Sequence, residues 1–214
     1  MEVNPELPIV AVTKRGDPRD VLVLPEGCSN QEEISLNGLL VGSSSLRRKL
    51  QLKKMYPDVQ IENIRGNIQT RLRKLDEGNF DGIILAAAGL QRANLSERIS
   101  RVFSVEEILP AAGQGILAIQ ARKDNNLEFL NEVCDQDTMT VAIAERSFVR
   151  ALEGGCSSPV AAYATIEGQV LTLRGLYYKE STGEFFRETT SGHRSDADKI
   201  GEEFAKYMKY KYKN

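Results

Sequence analysis

The sequence predicts an α/β protein in two parts: a layer built by strand–helix alternation, then a small α+β module with a three-stranded antiparallel sheet. Three observations carry this. Short apolar runs alternate with amphipathic helical stretches between residues 39 and 93. The last third reads as strand, Glu167-Gly168 turn, strand, Ser181-Thr182-Gly183 turn, strand and helix. Between them, Leu109-Pro110-Ala111-Ala112-Gly113-Gln114-Gly115 concentrates proline and glycine, marking where the chain leaves one layer for another.

Taken in order, residues 9–12 (Ile-Val-Ala-Val) form a buried strand with no preceding element to pair with it. Asp17-Pro18-Arg19-Asp20 is turn chemistry, and residues 21–24 form a second strand. Residues 25–38 are polar and looped, with one helical turn at 31–34. A strand at 39–41 leads through Gly42-Ser43-Ser44-Ser45 into a helix over 46–55, which must stop before Pro57. Residues 59–64 are the next strand, and Ile68, Leu72 and Leu75 mark the inner side of a helix closed by Gly78. A third strand at 81–86 runs into a helix over 87–93. This alternation predicts right-handed parallel crossovers, with ligands bound at the C-terminal ends of the strands.

After a strand at 116–121 and a helical stretch to about Val133, the residues Val141, Ala144, Phe148 and Leu152 recur at helical spacing. Asp137 or Thr138 can cap this helix, and Gly154 should stop it. Strands follow at 160–166, 170–177 and 185–190, then a final helix from about Asp196 with Ile200, Phe204 and Met208 inward. His193, the single histidine, falls in a polar turn and reads as a surface residue rather than a base. The lysines and tyrosines at 206–213 read as a frayed amphipathic tail.

Composition narrows the function. The 214 residues carry a net charge of -2, which gives no reason to expect nucleic acid, and the basic stretch described next holds one aromatic residue, Tyr56, too few to form a stacking platform. Cys28, Cys134 and Cys156 are too few and too scattered for a disulfide framework or a metal site, so a reducing compartment is expected. Neither a membrane span nor a signal peptide is legible, which predicts a cytoplasmic protein.

Two features carry chemistry. Between Ser43 and Lys74 there are nine basic residues and two acidic ones, a local balance of +7. Lys49, Lys53, Lys54 and Lys74 fit a solvated helix face. The arginines differ, because they sit at loop-to-helix junctions: Arg47 and Arg48 after the serine loop, Arg65 at the next strand-to-helix turn, Arg71 along its helix, Arg92 near the third. Guanidinium groups bind carboxylates bidentately, so several converging on one cleft predict a ligand with many carboxylates or phosphates. The second feature is Leu152-Glu153-Gly154-Gly155-Cys156-Ser157-Ser158-Pro159. A free cysteine is commonly a small buried hydrophobe, but these flanks describe a special loop past a helix end, which favours a reactive or covalently modified thiol.

Five motifs in order resemble one family. They are 41–48 (Val-Gly-Ser-Ser-Ser-Leu-Arg-Arg), Arg65-Gly66-Asn67 with Thr70-Arg71-Leu72, Ala88-Gly89-Leu90, Leu109-Pro110 with Gly113-Gln114-Gly115, and Leu152-Glu153-Gly154-Gly155-Cys156. Together they look like hydroxymethylbilane synthase, also called porphobilinogen deaminase, from about Ile9 onward. The resemblance implies a transferase of tetrapyrrole and heme biosynthesis that condenses four porphobilinogen molecules with loss of ammonia and hydrolyses the product to hydroxymethylbilane. It implies a dipyrromethane cofactor on Cys156, and carboxylate binding by Arg47, Arg48, Arg65, Arg71 and Arg92, with Ser45, Asn67 and Gln114 as neutral donors. It implies a periplasmic-binding-protein-like parallel or mixed sheet domain ahead of the α+β module, and a monomer that acts on a small molecule without nucleic acid or membrane.

Family members carry roughly another third of a chain before the matched region, including the aspartate that stabilises charge on the pyrrole nitrogens. No catalytic residue is therefore expected in these 214 residues, and the chain is expected not to turn over alone. On this reading residues 1–18 are a remnant of domain 1 and 19–109 are domain 2, the arginine-rich substrate and cofactor domain. Residues 110–133 are a hinge and return segment belonging to domain 1, and 134–214 are domain 3, which carries the cofactor attachment. The alternative is a non-catalytic anion-binding module of periplasmic-binding-protein type, which needs no thiol on a Gly-Gly loop.

Overall fold

A computed structural model describes residues 6–28, 34–122, 128–153 and 159–212. In chain order the elements are β1 (Ile9–Val12), β2 (Asp20–Val23), β3 (Leu40–Gly42), α1 (Leu46–Met55), β4 (Gln60–Glu62), α2 (Ile68–Asp76), β5 (Gly82–Ala86) and α3 (Ala87–Arg92). They continue with β6 (Arg101–Val102), β7 (Ala118–Gln120), α4 (Gln136–Ala151), β8 (Ala161–Glu167), β9 (Val170–Lys179), β10 (Glu184–His193) and α5 (Ala197–Tyr212). They form two compact units: Asp17–Pro110, and the residues up to Gly16 together with those from Ala111 onward.

The unit Asp17–Pro110 is built on a five-stranded sheet in the order β4-β3-β5-β2-β6. β3 runs parallel to β4 and β5, as strand–helix alternation predicts. β2 pairs antiparallel with β5 and β6, which makes the sheet mixed; an antiparallel partner requires no crossover helix. Successive side chains of β2 and β5 point to opposite faces, and both faces are covered. Val21, Val23, Ile83 and Leu85 pack with Leu72, Leu75 and Leu90 on one side. Leu22, Ile84 and Val41 pack with Leu52, Phe103 and Ile108 on the other.

In the other unit β1 finds its partner far along the chain, pairing antiparallel with β7 so that Val12 lies opposite Ala118. The three-stranded sheet β10-β9-β8 is antiparallel and carries α4 and α5, with Phe148, Phe204, Leu171, Leu173 and Met208 in the core. Phe148 and Phe204 meet with ring centroids 5.2 Å apart. The two helices approach closely at Gly201, where an added Cβ would lie 2.3 Å from the Ala144 carbonyl oxygen.

Three sequence expectations need correcting here. Helix α4 is capped by Asp135, which accepts from the Thr138 amide at 2.7 Å; Asp137 and Thr138 sit inside the first turn. The helix ends at Ala151 rather than Gly154, and Glu153, not a glycine, takes the left-handed conformation at φ 58°. The C-terminal segment is not frayed as far as Tyr212: α5 continues to that residue, whose ring stacks on Phe186 at 3.9 Å. Aromatic contact with the sheet holds the last turn that composition alone made look loose. His193 is exposed, its Nδ1 2.9 Å from Ser195 Oγ. The helical turn expected at 31–34 falls mostly outside the described residues.

Candidate functional site

The C-terminal ends of β3, β4 and β5 share one edge of the five-stranded sheet. Because β2 runs the other way, the register Asp20↔Ala86 brings its first residue to that same edge. Helices α1, α2 and α3 all begin there, so their positive dipole ends gather on one side of the unit. Ser45 caps α1, its hydroxyl accepting from the Arg48 amide at 3.4 Å. Asn67 caps α2, its Oδ1 accepting from the Thr70 amide at 2.9 Å. Ser44 Oγ donates to the Ile64 carbonyl at 2.8 Å and so ties the first loop to the second.

Arg47 and Arg48 follow the serine loop and converge on Asp20. Arg47 Nη1 donates to Asp20 Oδ2 at 2.6 Å and to the Leu109 carbonyl at 2.8 Å. Arg48 Nε donates to Asp20 Oδ1 at 2.9 Å, and its Nη1 to the Ile84 carbonyl at 3.0 Å. The Asp20 side chain is wholly buried, while those of Arg47 and Arg48 keep 5% and 11% exposure. Burial alone would raise the Asp20 carboxyl, but the charges and hydrogen bonds of the two arginines outweigh it and hold its pKa below the ordinary 3.8. Desolvation lowers the pKa of Arg48 against the pull of Asp20, and the Arg47 and Arg71 charges act in the same direction as the desolvation.

Arg65 and Asn67 are exposed on the second loop, and Arg71 is half-buried with its Nε donating to the Gly66 carbonyl at 2.8 Å. Gly66 has φ +122°, and a Cβ there would sit 2.6 Å from Thr70 Cγ2, so this turn needs glycine. Ser45, Arg47, Arg48, Arg65, Asn67 and Arg71 thus come together at one edge. Arg92 closes α3 at the end opposite that edge and is exposed. Gln114 belongs to the other unit, where its carbonyl accepts from Arg15 Nε at 2.9 Å. Cys156 and its flanking residues 154–158 lie outside the described residues.

Sequence reading missed two buried carboxylates. Asp20 read as part of a turn, yet it is the first residue of a wholly buried strand. Glu145 stands in α4 beside the apolar positions Val141, Ala144 and Phe148, and is buried with Arg15 as its partner at 2.6 Å. An acidic residue adjoining an apolar run, with arginine elsewhere in the chain to pair with it, was the available signal in both cases. Among the described residues no helix is long and apolar enough to cross a membrane, and no group of three or more acidic, histidine or cysteine side chains could hold a metal ion.

Residues 1–128 match the family model described as "Porphobilinogen deaminase, dipyromethane cofactor binding domain", and residues 139–210 match "Porphobilinogen deaminase, C-terminal domain". The chain is 52% identical over 209 residues to "Porphobilinogen deaminase" of Ruminiclostridium josui, covering 98% of this chain and 69% of that protein. It is 51% identical over 208 residues to "Porphobilinogen deaminase" of Acetivibrio thermocellus, covering 97% of this chain and 70% of that one. Among solved structures, holo ArgBP from T. maritima aligns with a TM-score of 0.33 at 21% identity, over 57% of this chain and 55% of that one.

Proposed function

The chain belongs to the porphobilinogen deaminase family, whose transferase activity serves tetrapyrrole biosynthesis with a dipyrromethane cofactor, and from that premise we propose a division of labour among its own residues. The sheet edge that gathers Ser45, Arg47, Arg48, Arg65, Asn67 and Arg71 binds the acetate and propionate groups of porphobilinogen and of the lengthening pyrrole chain. For Arg92 and Gln114, which the structure does not bring to that edge, a carboxylate-binding role rests on the family resemblance alone, and Cys156 carries the cofactor through its sulfur. The observation that supports this best is the convergence of three helix N-termini with the arginine-bearing loops on one edge.

That donor set fits a polycarboxylate. Each added pyrrole brings two carboxylates, and a stretch with nine basic and two acidic residues has charge to balance them. When bound, the dipyrromethane supplies the nucleophilic carbon onto which new units are joined. The capped loops hold their amides and guanidinium groups ready before ligand arrives, so little ordering is left for binding to impose. The associated domain assignment is 19–109 for anion binding and 134–214 for cofactor attachment. The protein acts in the cytoplasm as a monomer, in keeping with the free thiols of Cys28 and Cys134.

Two measurements test this. Calorimetric titration with porphobilinogen should show binding that Arg48→Ala and Arg71→Ala each weaken. Intact mass after incubation with porphobilinogen tests the attachment: any gain of a two-pyrrole unit should be lost in Cys156→Ser, and such a gain in the unsubstituted chain would overturn the expectation that it does not turn over alone. Binding without covalent addition, indifferent to Cys156→Ser, would instead identify a non-catalytic anion-binding module. Size-exclusion mass close to 23.8 kDa checks the monomer.

A further inference from the structure

The two arginines after the serine loop are not equivalent. Arg47 is committed within the unit: its Nη1 spans Asp20 and the Leu109 carbonyl. Gln51 completes that junction, its Oε1 accepting from the Leu109 amide at 2.8 Å and its Nε2 donating to the Leu109 carbonyl at 3.3 Å. Arg48 meets Oδ1 of the same carboxylate through both Nε at 2.9 Å and Nη2 at 2.7 Å, with the Ile84 carbonyl fixing Nη1, and it is the more exposed of the two at 11%. Two guanidinium groups this close repel strongly where water is excluded. A single carboxylate between them removes the repulsion, and because Arg47 reaches both of its oxygens while Arg48 reaches Oδ1, it also orients both planes.

We propose that Asp20 is a positioning residue for ligand binding: it aims the Arg48 guanidinium at the anion-binding edge, and Arg47 is the strut that holds Asp20 in place. This rests on the proposed function and deepens it. Asp20 touches no ligand itself. Its register position opposite Ala86, at the edge where α3 begins, explains why a carboxylate is tolerated inside a site for anions: it is covered by the two cations it orients.

Calorimetric titration of the full chain with porphobilinogen tests this, with thermal melting of each variant alongside. Asp20→Glu keeps the charge but moves the carboxylate by one methylene, and should weaken binding about tenfold or more, as loss of a bidentate charge-assisted arrangement implies. Asp20→Asn should weaken porphobilinogen binding too, while inorganic phosphate binds as well or better to the more positive edge. Gln51→Ala, which loosens the Leu109 junction without touching Asp20, should lower the melting temperature yet leave porphobilinogen affinity within about threefold. The proposal is overturned if Asp20→Glu binds like the unsubstituted chain. It is equally overturned if Gln51→Ala loses affinity in proportion to stability just as Asp20→Glu does, since Asp20 would then be structural only. Failure of the unsubstituted chain itself to bind porphobilinogen would remove the proposed function, and this inference with it.

Discussion

Arg15 and Glu145, 130 residues apart in the chain, face each other at 2.6 Å with the carboxylate wholly buried. The same carboxylate accepts from the Gly113 and Ala164 amides, each at 2.7 Å, so one side chain gathers the segment after β1, the glycine turn and β8. Burial pushes the Glu145 carboxyl up, against the pull of Arg15 and the two amides. Arg15→Ala would leave that carboxylate with no counter-charge, and should cost about 3–5 kcal/mol. The denaturant midpoint measures it.

Asp135 rather than Asp137 caps α4, and substitution separates the two. Asp135→Ala should cost about 1 kcal/mol through the lost bond to the Thr138 amide. Asp137→Ala removes only an exposed pair with Arg194 and should cost less than about 0.5 kcal/mol. Equal losses in chemical denaturation would show that the helix begins elsewhere.

At Gly201 the neighbour of an added methyl is backbone, the Ala144 carbonyl oxygen at 2.3 Å, and cannot rotate away. Gly201→Ala must therefore push α4 and α5 apart. The expected loss is about 3 kcal/mol, read as a fall in melting temperature of roughly 6–12 °C.

Acid should act through Asp20. Its folded pKa lies below the ordinary 3.8, so between those two values the unfolded chain binds a proton that the folded chain refuses. Its contribution is complete above about pH 3.8 and is lost as pH falls through the folded value. Urea midpoints followed from neutral pH into acid should drop more steeply for the unsubstituted protein than for Asp20→Asn. Parallel curves would mean that Asp20 carries no linked proton.

Tyr212 stacks on Phe186 with the ring planes 8° apart and on Tyr177 at 6.3 Å. Tyr212→Ala should cost about 1–2 kcal/mol by thermal melting, and a truly loose tail would lose nothing.

The parts of this fold legible in the sequence are those decided locally. Leu46–Met55 was marked by the serine-rich loop at one end and Pro57 beyond the other, and the structure reproduces those bounds. The arginine junctions followed from strand–helix alternation, a pattern with a three- to four-residue memory. What stayed hidden depends on partners far away in sequence. β1 had no visible mate because β7 lies beyond an entire unit. Asp20 resembled a turn residue because the arginines that permit its burial sit in another element. Tyr212 looked disordered because Phe186 is on a strand that composition does not connect with it.

Arg47 Nη1 touches both Asp20 and the Leu109 carbonyl, so the beginning and the end of residues 17–110 lie within the width of one guanidinium group. A segment whose ends meet is an insert: joining those ends directly would add little loop-closure entropy, and its core clusters are its own. Residues 17–110 should accordingly survive excision and circular permutation, and a gene could gain or lose them in one step.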